Sequence, residues 1–133
     1  MDVDELLRWC AEMPGAWPDN PWASRYPVYK VGGSPEVEPE RGKIFAFCSA
    51  DTVGLKCGTR DEADEWLLRY PEDAAVMPYL GRSGWNDLLL AGRIADDELL
   101  EALQESYRLV VAGLPRRLRP SGWDTLPPPT LPS

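Results

Sequence analysis

Residues 43–49 and 52–58 are two β-prone runs separated by only Ala50 and Asp51. So short a connection makes them an antiparallel hairpin, since a parallel partner needs a crossover of about a dozen residues or more. With Ala50 and Asp51 as the turn, paired positions sum to 101, so Phe45 faces Lys56 and Phe47 faces Gly54. Further strand candidates near 25–31 and 85–90 extend the hairpin into an antiparallel sheet of about four to five strands.

Strict alternation sorts these strands into two faces. One collects Tyr29, Val31, Ile44, Ala46, Cys48, Val53, Leu55, Cys57, Leu88 and Leu90, almost all apolar and suited to packing under helices. The other carries Tyr26, Val28, Lys30, Lys43, Phe45, Phe47, Thr52, Lys56, Trp85 and Asp87, a mixture expected where a sheet meets water or a ligand.

Three helices supply the cover. Val3, Leu6, Leu7, Cys10 and Met13 form a stripe at helical spacing that stops at Pro14-Gly15. Thr59 and Glu62 are spaced as a capping box ahead of Ala63, Trp66, Leu67 and Tyr70. Asp96, Asp97 and Glu98 open the last helix, Leu99, Leu103, Tyr107, Val110, Val111 and Leu114 line it, and Gly113 with Pro115 close it. The pattern predicts an α+β fold, an antiparallel sheet with helices packed on one face. Residues 16–24 and 71–84 read as irregular connections, the second long enough to cover part of the sheet.

The 133 residues suffice for one core, assigned to residues 1–115, followed by a proline-rich tail at 116–133. The tail is open to two readings: docking Trp123 on its own domain, or reaching a protein partner. No apolar run approaches the roughly 18 residues of a membrane span, and Asp2, Asp4 and Glu5 do not fit a signal peptide, so a cytoplasmic protein is expected. Three cysteines without a C-x-x-C pair read as reduced and structural. Histidine is absent, which removes the commonest general base and metal ligand. Asp87, Asp96 and Asp97 alone support no particular reaction, so a non-enzyme without cofactor or metal is expected.

Cys10, Met13-Pro14-Gly15-Ala16, Pro21-Trp22, Tyr29-Lys30-Val31-Gly32-Gly33, Gly42-Lys43-Ile44-Phe45-Ala46, Leu55-Lys56-Cys57, Pro78-Tyr79, Trp85, Ser106-Tyr107 and Leu114-Pro115 form an ordered series. In this series the chain resembles the MmcQ/YjbR-like proteins. The resemblance implies a small fold similar to the frataxin-like CyaY proteins, DNA binding through a double-wing arrangement, and no general enzymatic activity. The chain departs from that pattern in an acidic, proline-bearing insert, Pro35–Glu40, and in its tail.

The residues themselves offer a place for DNA. The three lysines, Lys30, Lys43 and Lys56, are spaced thirteen apart, so in a meander they fall at one end of the sheet. On this reading they take backbone phosphates, Arg25, Arg41 and Arg60 widen the patch, and Phe45 or Trp85 stacks on unpaired bases. Residues 25–60 hold six cations against four acids, although the chain's net charge is −8. Three phosphate contacts give a salt slope of only about −2.7, so binding is expected to be weak and salt-sensitive. The plainer account is that these lysines keep an exposed sheet edge soluble.

Overall fold

The computed structural model describes residues 1–129. Asp2 caps the first helix, α1 (Val3–Glu12), by accepting from the Glu5 N–H at 2.8 Å. Leu6 and Cys10 are its fully covered residues. The capping box predicted at Thr59 and Glu62 is present and starts α2 (Arg60–Arg69). The last helix, α3 (Asp96–Ala112), buries eight residues, among them the polar Gln104 and Ser106.

The strands are β1 (Trp17–Asp19), β2 (Val28–Val31), β3 (Lys43–Cys48), β4 (Thr52–Lys56), β5 (Ala74–Val76) and β6 (Trp85–Leu89). They form one antiparallel sheet in the order β1-β2-β3-β4-β6-β5. The helices pack on one face: α3 crosses β2, β3 and β4, α1 lies on β3, and α2 covers β5 and β6. The α+β architecture is the one expected, with six strands rather than four to five. The two additional strands, β1 and β5, are the sheet's edges, and three residues each are too few to show a period of two.

The hairpin pairs as predicted at Phe47↔Gly54 and Cys48↔Val53. The alternation does not survive along β3. Tyr29 pairs with Ala46 but Lys30 pairs with Ile44, so Phe45 is an extra residue, a β-bulge. The bulge turns Phe45 into the core, where it is fully covered, meets Tyr107 edge-on at 5.3 Å and lies 6.4 Å from Tyr29. It also exchanges the faces of the two residues before it. Ile44 joins Lys30 on the open face, and Lys43, opposite Val31, moves to the helix side.

The tail folds back on the domain. A short 3₁₀ turn at Arg116–Leu118 precedes Pro120, which lies against Gly15. Trp123 packs on the edge of the core with the Arg119 guanidinium 5.7 Å from its ring, and Gln104 donates to the Pro127 carbonyl at 2.9 Å. Residues 130–133 of the predicted tail lie outside the described residues.

Candidate nucleic-acid interface

In the regular hairpin ladder, the pair Phe45 and Lys56 would exchange backbone hydrogen bonds. The bulge removes that rung, and a side chain takes its place. Ser106, on α3, accepts the Lys56 N–H at 2.9 Å and donates its hydroxyl to the Phe45 carbonyl at 2.7 Å. A mid-helix serine thereby satisfies a buried carbonyl and a part-buried N–H that the ladder leaves without partners.

Beyond this bridge, β3 and β4 separate and leave a cleft of about 380 Å³. It is lined by Lys43 and Ile44 of β3, Lys56 of β4, Ser83 and Trp85 around the start of β6, and Leu109, Val110 and Gly113 of α3. None of the eight is acidic, on a chain of net charge −8. The Lys56 ammonium donates to the Ser83 carbonyl at 2.7 Å. Lys43 is exposed, and among the described residues it has no ion pair.

The third lysine stands elsewhere. Lys30 donates to Asp19 at 2.6 Å and sits 5.3 Å from the Trp17 ring, a neighbour across the β1–β2 ladder. Its side chain is only 17% exposed, and its ammonium holds the Asp19 carboxyl below the usual carboxylate range. Lys30 is therefore a structural cation that ties down the edge strand.

The other predicted site residues divide in the same way. Arg41 and Arg25 are exposed, Arg41 two residues before Lys43 and Arg25 with its guanidinium 5.4 Å from the Tyr26 ring. Arg60 is committed to the fold: it donates to Asp64, to the Gly81 and Trp85 carbonyls and to the Asn86 side chain. Phe45 is not a stacking platform, because the bulge buries it. Trp85 is only 8% exposed and packs edge-on to Phe47 at 5.5 Å, so it forms part of the cleft wall rather than an open ring. An exposed ring on this side of the sheet is instead Trp22, 63% exposed and stacked on Phe47 at 6.3 Å.

Leu109, Val110, Ser83 and the bridging role of Ser106 were not anticipated. The one local signal was a serine inside an otherwise apolar helical stripe, and its partners are 50 and 61 residues away. Among the described residues, no group of three or more Cys, Asp and Glu is placed to hold a metal ion, and no helix is long and apolar enough to cross a membrane.

An antiparallel sheet covered on one face, with a lysine-flanked cleft at the parted end of its central hairpin, defines a small α+β domain with a basic cleft. The family model described as YjbR matches residues 11–109, and the chain belongs to that family. Among solved structures, the chain is similar to the Deinococcus radiodurans protein DR2400, which carries the domain described as DUF419. That likeness has a TM-score of 0.73 at 24% identity and covers 89% of this chain and 85% of that one. A protein from Pseudomonas syringae is similar with a TM-score of 0.61 at 16% identity, over 82% of this chain and 98% of that one. Both are likenesses of fold. No curated protein matches the chain.

Proposed function

We propose that this protein is a non-catalytic binder of single-stranded DNA, holding backbone phosphates at Lys43 and Lys56. The observation that carries the reading is that these two lysines line one cleft that has no acidic lining residue. Ile44, Leu109 and Val110 add an apolar surface on which a sugar or an unpaired base can rest. A duplex presents phosphates over a wide groove and gains little from a cleft of this size, so the unpaired strand is the better fit.

Two phosphate contacts give a salt slope of about −1.4 on a single strand, so the affinity is modest and falls gently with salt. The test is fluorescence anisotropy of a labelled oligothymidylate and of a labelled duplex, each titrated at low and at physiological salt. The single strand is expected to bind more tightly. The pair of changes Lys43→Glu and Lys56→Glu is expected to weaken it by about tenfold or more. Absence of binding at low salt, or a charge-reversed variant that binds like the parent, overturns the reading.

A further inference from the structure

The sheet face turned away from the helices carries an acid without a counter-charge. Asp87 of β6 lies in one transverse row with Gly54 of β4 and Phe47 of β3. Because residue 54 has no side chain, nothing from β4 stands between the Phe47 ring and the Asp87 carboxylate. A Cβ built on Gly54 would lie 3.2 Å from the Asp87 Oδ1, 3.2 Å from the Phe47 Cβ and 2.9 Å from the Met77 Sδ. The nearest atom over this gap is the Met77 Sδ, and an unbranched thioether side chain is readily moved aside.

The ring side of the gap is built from three aromatics in contact: Trp22 stacks on Phe47, and Phe47 meets Trp85 edge-on. Asp87 is half-buried beside them and forms no ion pair among the described residues. Burial raises its carboxyl, and no donor draws it back down. The nearest lysine of the open face, Lys56, is turned to the Ser83 carbonyl. A partly desolvated carboxylate without a counter-charge, in one row of the sheet with an aromatic cluster, is half of a cation site, and the missing half is the cation.

We propose that this patch receives an arginine side chain of a partner protein, with Asp87 as its counter-charge and Trp22 and Phe47 as the ring platform. Arginine fits better than lysine because a planar guanidinium stacks on a ring while forking hydrogen bonds to a carboxylate. Trp22, at 63% exposed, lets a side chain approach from solvent. The patch and the Lys43–Lys56 cleft have opposite electrostatic character, so they take different ligands.

The probe is a capped Gly-Arg-Gly tripeptide titrated into ¹⁵N-labelled protein, followed by the indole N–H signals in heteronuclear NMR. Gly-Lys-Gly and the neutral isostere Gly-citrulline-Gly serve as comparisons. The Trp22 and Trp85 signals are expected to shift with the arginine peptide, less with lysine and not with citrulline. The Trp17 signal is expected to stay in place, because that indole already donates to the Gly32 carbonyl. Asp87→Asn and, separately, the exposed change Trp22→Ala are each expected to weaken the arginine peptide by about fivefold. Equal shifts with citrulline, a lysine peptide that binds as well as arginine, or unchanged binding by both variants overturns the proposal.

Discussion

The Ser106 hydroxyl donates to the Phe45 carbonyl at 2.7 Å and so joins the last helix to the bulge in β3. The same oxygen accepts from the Lys56 N–H, which makes Ser106 the replacement for a missing ladder rung. Ser106→Ala leaves a buried carbonyl and a part-buried N–H unpaired. A loss of about 2 kcal/mol is expected in urea denaturation. An unchanged midpoint would show that the two strands close the rung by themselves.

Gly84 sets the position of Ser83 and Trp85 on the opposite wall. Its φ is +87°, and an added Cβ would stand 1.8 Å from the Gly58 carbonyl oxygen. Gly84→Ala therefore combines left-handed strain with a backbone collision, and a loss of at least about 3 kcal/mol is expected. Gly122 has nearly the same φ, +83°, with nothing within 4 Å, so Gly122→Ala isolates the strain and is expected to cost about 1 kcal/mol. Similar losses in the two variants, measured by chemical denaturation, would refute the collision.

The contrast between these positions shows what the sequence made legible. The hairpin register, the three helices and the Thr59–Glu62 cap follow from local spacing, and the structure contains them. The bulge at Phe45 does not, because Ile44, Phe45, Ala46, Phe47 and Cys48 are all apolar and either parity satisfies the pattern. One inserted residue sends Phe45 inward and Lys43 to the other face, while Asp19 of the edge strand holds Lys30, so the expected trio of lysines does not form. Lys30 was legible as a strand cation, but its partner Asp19 lies on an edge strand too short to be read. What remains of the candidate site, Lys43 with Lys56, depends on a contact between helix and hairpin that spans 61 residues.

Burial pushes the Cys57 thiol up from 9.0 to about 11 and the Tyr107 hydroxyl from 10.0 to about 12. Both groups lose protons more readily in the unfolded chain. Their contribution is therefore present in full below pH 9 and disappears as the pH rises through the folded values. For Cys57 the two-unit shift corresponds to roughly 2 to 3 kcal/mol between pH 9 and 11. The urea midpoint is expected to fall steeply over that range, and Cys57→Ala is expected to flatten the fall. Native Cys57 should also resist thiol reagents at neutral pH. A parent and a variant with the same alkaline profile would show that this thiol is not protected by the fold.

Arg60 and Lys43 were both candidate phosphate ligands in the sequence, and the structure separates their roles by what surrounds them. Arg60 fills its donors within the fold, and the Asn86 oxygen it serves at 2.7 Å belongs to a side chain with no exposure, whose amide donates to Ala63 of α2. Removing the guanidinium strands a buried acceptor and loosens α2 from β6, so Arg60→Ala is expected to cost about 2 kcal/mol. Its folded fraction should bind the oligothymidylate like the parent. Lys43 has no such duties, and Lys43→Ala is expected to change stability by less than about 0.5 kcal/mol while weakening the strand and lowering the salt slope by about 0.7. Denaturation and anisotropy on the same two variants test this opposition. If Arg60→Ala lowers affinity more than Lys43→Ala at equal folded fraction, the phosphate site lies at the head of α2 rather than in the cleft.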